Sequence, residues 1–350
     1  MGGVVNGVQQ NVTGVGAGGG EAGWRAPLIA PGDLAAALGD ELPPVVLDVR
    51  WRLGGPPGRA DHLAGHVPGA LFVDLDTELA GPTVPGGAGG RHPLPSAERL
   101  GALLARCGID AQSRVVAYDD ADGSVAARAW WLLRWAGLPA DRVAVLDGGW
   151  AAWRAEGRPE EQGETSGPVS TAGLPAAGSM PVLDADGAAA LAAGGVLLDA
   201  RAGARYRGET EPVDPRAGHV PGAVSAPSAE HVGPDGRWLA PADLAARFRA
   251  LGVDGAAADG AAAEGAGAGP GAGGAAGGAG VGAYCGSGVT ASSVVLALEV
   301  AGLTTPEHPA ALYAGSWSDW SSDPGRPAAT GPEPGTAGTP GAGTPRGGTQ

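Results

Sequence analysis

Residues 46–50 read Val-Leu-Asp-Val-Arg, and 151 positions later the chain reads Leu-Leu-Asp-Ala-Arg. The hexapeptide Gly65-His66-Val67-Pro68-Gly69-Ala70 returns unchanged as Gly218-His219-Val220-Pro221-Gly222-Ala223. Val116-Ala117-Tyr118-Asp119 is matched by Gly282-Ala283-Tyr284-Cys285. Asp147-Gly148-Gly149-Trp150-Ala151-Ala152-Trp153 is matched by Ala314-Gly315-Ser316-Trp317-Ser318-Asp319-Trp320. The four offsets are 151, 153, 166 and 167, so the order is kept and one net insertion falls before the third element. Self-similarity of this kind means two homologous domains rather than one large fold. Their expected limits are 24–160 and 181–329, joined by a Gly/Ser/Glu/Pro linker at 161–180.

The glycines divide along the same lines. Of 66 in the chain, 27 fall within residues 1–20, 255–280 and 321–350. Such tracts carry too little apolar surface to offset chain entropy. Tails at 1–23 and 330–350 and an insert at 255–280 are therefore expected to be disordered, and the insert accounts for the jump in offset. The pattern Gly14-x-Gly16-x-x-Gly19 has no strand before it and no helix after it, so it reads as a chance match to a dinucleotide fingerprint.

Inside each half, short apolar runs alternate with amphipathic stretches. Strands are expected at 45–49, 114–118, 143–146 and 196–200, and helices at 96–107, 125–135 and 289–301. Continuous apolar strands alternating with helices predict an α/β class, each domain a parallel sheet with helices on both faces. Trp130, Trp131 and Trp135 fit core or interface packing, and Cys107 lies on a helix face with Leu100, Leu103 and Leu104. Asp48, Arg50, Asp199 and Arg201 read as strand-end ion pairs.

Composition removes several chemistries. All 22 basic residues are arginine, which excludes Schiff-base and pyridoxal-phosphate chemistry and Walker-type phosphate loops. A net charge of −15 argues against nucleic-acid partners. Two distant cysteines and six scattered histidines offer no disulfide scaffold and no metal-ligand spacing. No stretch approaches a membrane span, and the first twenty residues lack the pattern of a signal peptide. The expected setting is cytoplasmic, with no metal or organic cofactor.

One segment carries chemistry. Cys285-Gly286-Ser287-Gly288-Val289-Thr290 lies between a strand end and a helix start, where open α/β sheets bind ligands. Two glycines let successive amides turn inward as an anion nest, and the helix start adds positive potential. Such a cradle favours thiolate over thiol, although a buried inert cysteine is the alternative. The first domain has Asp119 at the matching position, a poor nucleophile, so the first copy is expected to be silent. A cysteine phosphatase would need arginine six residues after the cysteine, where this chain has Ala291.

The tandem order, the doubled Leu-Asp-x-Arg and Gly-His-Val-Pro-Gly-Ala elements and the Cys285–Thr290 loop together resemble the two-domain sulfurtransferases of the rhodanese family. The resemblance covers about residues 40–330 without the insert. It implies two rhodanese-like domains, the second catalytic, with sulfur carried as a Cys285 persulfide. The neutral Gly286 and Ser287 are similar to the 3-mercaptopyruvate sulfurtransferase version of the loop, with thiosulfate as the alternative donor. The resemblance further implies that Gly286, Ser287, Gly288, Val289 and Thr290 cradle the substrate. Arg205 is its substrate-binding arginine and Arg216 a second. Ser287 would act in a Ser–His–Asp proton relay with His66 and Asp61. Acceptors would be cyanide or a thiol such as thioredoxin. A non-catalytic sulfur carrier is the competing expectation, because the strand before Cys285 has few β-branched residues and follows the Gly/Ala tract.

Overall fold

The computed structural model describes Trp24 and residues 26–167, 180–254 and 280–336. The expected tail at 1–23, residues 337–350 of the tail expected at 330–350, residues 255–279 of the insert expected at 255–280 and linker residues 168–179 lie outside the described residues.

The first domain threads β1 (Leu28–Ile29), α1 (Pro31–Ala37), β2 (Val45–Asp48), α2 (Gly58–Ala64), β3 (Leu71–Phe72), α3 (Ala97–Arg106), β4 (Val115–Tyr118), α4 (Ser124–Trp135), β5 (Val143–Leu146) and α5 (Gly149–Ala155). Its five strands are parallel, in the order β1-β5-β4-β2-β3. The second domain repeats this with β6 (Val182–Leu183), α6 (Ala185–Gly194), β7 (Val196–Asp199), α7 (Gly203–Tyr206), β8 (Val224–Ser225), α8 (Pro241–Ala250), β9 (Val281–Tyr284), α9 (Ala291–Val300), β10 (Ala311–Tyr313) and α10 (Ser316–Ser322). Its parallel order is β6-β10-β9-β7-β8, the same permutation.

Alternation explains why the strands read as unbroken apolar runs. Val46, Val116 and Ala144 face a cluster with Leu34 of α1 and Trp150 and Trp153 of α5. Leu47, Val115, Ala117 and Val145 face the opposite cluster, with α3 and α4. Side chains of a strand point alternately to the two faces, so a sheet covered on both sides buries every position. The helix over 97–106 is opened by Ser96, whose Oγ accepts the Arg99 amide at 3.2 Å.

That second cluster does not stop at the domain edge. It runs through α4 and α9, which pack on each other, and joins Trp130 and Trp131 to Val294, Val295 and Leu298. Arg134 of α4 and Glu299 of α9 form a buried ion pair across the same contact. The helix that follows the Asp119 loop thus packs on the helix that follows the Cys285 loop.

Two expected boundaries are corrected. Residues 161–167 belong to the first domain: Glu161 bridges His66 in antiparallel fashion, and Thr165 Oγ1 meets His66 Nε2 at 2.9 Å. Likewise the chain past 329 is not a free tail up to 336. Ala329 bridges His219, and the Pro334 carbonyl accepts the Gly222 amide at 2.7 Å. Composition could not reveal either segment, because both are held by a few hydrogen bonds, most of them to the repeated histidine turns.

The doubt over the strand before Cys285 is also resolved. β9 is the central strand, paired on one side with β7 from Val196↔Val281 to Asp199↔Tyr284 and on the other with β10. Its small residues are a packing requirement: a Cβ on Gly282 would lie 2.7 Å from Leu191 of α6 and 3.0 Å from the Ala311 carbonyl.

Candidate active site

Register places the site. β2 pairs with β4 so that Asp48 lies beside Tyr118, and β7 pairs with β9 so that Asp199 lies beside Tyr284. Asp119 and Cys285 are therefore the first residues past equivalent central strands. Below each loop, Arg50 pairs with Asp48 and donates to the Gly65 carbonyl at 2.8 Å; Arg201 pairs with Asp199 and donates to Gly218 at 2.7 Å. These four residues hold the strand end to the Gly-His-Val-Pro-Gly-Ala turn, as expected of ion-pair anchors.

The cysteine loop is fixed from outside. The Cys285 amide donates to Ser316 Oγ at 3.0 Å, and its carbonyl accepts the Trp317 amide at 2.9 Å. Ser316 holds a positive φ of 56°, a conformation that is strained for a side-chain-bearing residue; its twin is Gly149. Gly288 also lies at positive φ, 82°, and a Cβ there would fall 2.2 Å from the Ala314 carbonyl oxygen. The loop can take this path only with glycine at 288. As a result the Gly288 amide points at Cys285 Sγ, at 3.2 Å.

The first-domain copy, with Asp119 in place of the cysteine, shows what this loop shape is suited to hold. The Asp119 carboxylate is buried and accepts the amides of Ala121, Gly123, Val125 and Ala126, each at 3.0 Å. A carboxylate oxygen stands two bonds beyond Cβ, where the outer sulfur of a cysteine persulfide would stand. Asp119 thus fills the first nest with a carboxyl group; burial pushes its pKa up, and the amide hydrogen bonds act against that shift.

Cys285 opens into a cavity of about 350 Å³ between the domains. Trp51, Leu53, Arg91, Asp122 and Ser124 form the first-domain wall; Arg201, Arg205 and residues 285–287, 289 and 290 are among those forming the other. Gly286, Ser287, Val289 and Thr290 line it, whereas Gly288 lies behind the sulfur. Arg205 is at the rim, donating to Glu211 at 2.6 Å and Asp214 at 3.0 Å. Arg216 is elsewhere: its guanidinium donates to the carbonyls of Trp320, Ser321, Asp323 and Arg326 at 2.8–3.0 Å, capping the end of α10. The loose spacing that suggested it for substrate matches a helix-capping role instead.

Arg91 occupies the place expected for a second arginine. It pairs with Asp214, the carboxylate Arg205 also uses. A Cβ on Gly286 would lie 3.0 Å from Arg91 Nη2 and 3.4 Å from Arg205 Nη1. Two guanidinium edges therefore converge over Gly286.

Ser287 does meet a histidine, but not His66. His66 Nδ1 faces the His62 carbonyl at 2.8 Å and its Nε2 faces Thr165, so both nitrogens are occupied inside the first domain. Asp61 is likewise not part of a relay; it pairs with Arg52. Ser287 Oγ instead lies 2.7 Å from His92 Nδ1, and His92 Nε2 lies 3.1 Å from Asp76 Oδ1. Because Nε2 faces a carboxylate it carries the proton, leaving Nδ1 to accept from the serine hydroxyl. Trp51 donates to the other Asp76 oxygen at 2.9 Å and meets the His92 ring edge-on, fixing both. Burial pushes the His92 imidazole below its ordinary value, and the Arg128 and Arg91 charges push the same way against Asp76. The ring is held neutral near pH 7.

Residues 30–156 match the model of the rhodanese-like domain. A Mycobacterium tuberculosis protein named as a thiosulfate sulfurtransferase is 42% identical over 87% of this chain and 97% of its own. The chain belongs to the rhodanese sulfurtransferases. Another relative of this sulfurtransferase, from Pseudomonas aeruginosa and named as a 3-mercaptopyruvate sulfurtransferase, is 44% identical over 87% of this chain and 99% of its own. Among solved structures, the Escherichia coli 3-mercaptopyruvate sulfurtransferase superposes with a TM-score of 0.64 at 26% identity, covering 83% of this chain and 98% of that one. No helix among the described residues is long and apolar enough to cross a membrane.

Proposed function

We propose that this sulfurtransferase takes sulfur from 3-mercaptopyruvate onto Cys285 and passes it to a thiol. The observation that carries the donor is the Ser287–His92–Asp76 chain beside Cys285. Thiosulfate releases sulfite, which needs no proton to leave. Release of pyruvate does need one.

The Cys285 thiolate attacks the donor sulfur. The new S–S bond forms as the donor C–S bond breaks, and that electron pair passes to the departing pyruvate enolate. His92, reached through Ser287, takes the donor's thiol proton and returns it to the enolate carbon. Pyruvate leaves, and Cys285 remains as an anionic persulfide. The outer sulfur then accepts the kind of amide contact Asp119 makes in the first domain. Arg91 and Arg205 grip the donor carboxylate over Gly286, where a charge-assisted bidentate contact orients it. An acceptor thiolate such as reduced thioredoxin, or cyanide in vitro, attacks the outer sulfur and frees the Cys285 thiolate. Because the cycle starts from a free thiolate, a reducing cytoplasm suits it.

The test compares kcat/KM for 3-mercaptopyruvate and thiosulfate in the native chain and in His92→Asn. General acid–base catalysis is worth roughly 100-fold or more, so His92→Asn should lose about that factor with 3-mercaptopyruvate. It should change thiosulfate turnover far less. Equal losses with both donors would refute the relay. A native preference for thiosulfate, the donor in the name of one relative, would favour that reading instead.

A further inference from the structure

Arg128 lies on α4 of the domain that lacks the nucleophile, and no solvent reaches it. Its guanidinium donates to carbonyl oxygens alone: Leu79 at 3.3 Å, His92 at 3.2 Å, Pro93 at 3.5 Å and, across the domain boundary, Gly288 at 3.4 Å. Among the described residues no carboxylate pairs with it. That is anomalous, because an arginine buried without an opposite charge is strongly disfavoured.

The other charged groups around Cys285 are balanced. Arg91, from the first-domain loop, has Asp214. Arg201, after β7, has Asp199 and Glu211, and Arg205, on α7, has Glu211 and Asp214. His92 has Asp76. Asp122, before α4, lines the cavity and accepts the Ser124 amide. Arg128 is the cation left over, and it holds the carbonyl of Gly288, the residue whose amide points at Cys285 Sγ.

We propose that Arg128 is the counter-ion of the anionic sulfur on Cys285, as thiolate and then as persulfide. The silent domain thereby supplies the charge that the cysteine domain lacks. Burial pushes the guanidinium down to about 10, and the Cys285 sulfur is the group that acts to raise it again. By holding the His92 and Gly288 carbonyls with one guanidinium, Arg128 also ties the relay to the loop it serves. It is a positioning residue, since it reaches the sulfur through Gly288. The persulfide half of the proposal rests on the function proposed above; the thiolate half does not.

The test is alkylation of Cys285 by iodoacetamide, followed by peptide mass from pH 6 to 9, which requires no sulfur donor. An opposite charge nearby shifts such equilibria by one unit or more, so Arg128→Gln should react at least about tenfold more slowly at pH 7 and recover as pH rises. Arg128→Lys keeps the charge and should react close to the native rate, which a purely packing role would not predict. Native rates in Arg128→Gln across the range would overturn the proposal. Should Arg128→Gln fail to fold, the native chain is compared with Cys285→Ser by thermal melting over the same range. The native advantage should widen by about 2–4 °C toward pH 9, as the thiolate balances Arg128 in the folded state alone. A constant difference would overturn the proposal. Failure of either measurement leaves donor turnover untouched, and failure of donor turnover leaves both measurements standing.

Discussion

Gly288 and Ser316 bracket the nucleophile with opposite backbone problems. Gly288 needs positive φ where a Cβ would strike the Ala314 carbonyl, whereas Ser316 accepts positive φ to place a hydroxyl under the Cys285 amide. A Gly288→Ala chain should lose about 1–3 kcal/mol or more in urea unfolding and lose Cys285 alkylation at neutral pH, because the amide at Sγ turns away. Unchanged stability and reactivity would show that the loop tolerates another path. At this scale the place of Cys285 was legible, because a cysteine followed by two spaced glycines between an apolar run and a helix falls at the end of a strand. His92 was not. It stands 195 positions from Ser287 in a loop outside the four repeated elements, and only folding brings the two together. The conspicuous repeated histidines drew the relay assignment instead, although repetition in a silent and an active domain is itself a sign of shared architecture.

Those histidines matter at the scale of elements. His66 receives 161–167 onto the first domain, and His219 receives 329–334 onto the second; each ring stacks on a neighbour, His62 at 3.9 Å and Tyr206 at 3.7 Å. A His66→Ala chain should lose about 1–3 kcal/mol of stability, because the His62 carbonyl and Thr165 lose a buried partner. Its kcat/KM should stay within a few-fold of native under conditions where it is folded. A loss like that of His92→Asn with full stability would return His66 to the relay. Strands and helices were readable from continuous apolar runs and helical spacing, and most observed ends fall within two residues of expectation. The stapled segments were not, since a few hydrogen bonds to a turn leave no periodic trace.

For the whole molecule, the duplication explains a division of labour. Both domains keep the nest, the strand-end ion pair and the histidine turn. Only one has a cysteine in the nest, while the other contributes Trp51 and Arg91 to the cavity and Asp76, His92 and Arg128 to the contacts behind the cysteine loop. The shared core of α4 and α9 keeps those contributions in place, so the first domain carries Asp119 in its own loop and lends side chains to its neighbour's. Two domains were evident from the repeat offsets. That a histidine of the first domain would meet Ser287 of the second was also expected; which histidine was not, because His92 lies in a loop outside the four repeated elements. The account stands on a persulfide at one residue. Intact-mass measurement after brief exposure to 3-mercaptopyruvate should show a gain of roughly 32 Da, one sulfur, on the native chain. The gain should be absent from Cys285→Ser and removed by cyanide. No gain on the native chain, or a gain that survives Cys285→Ser, would contradict it.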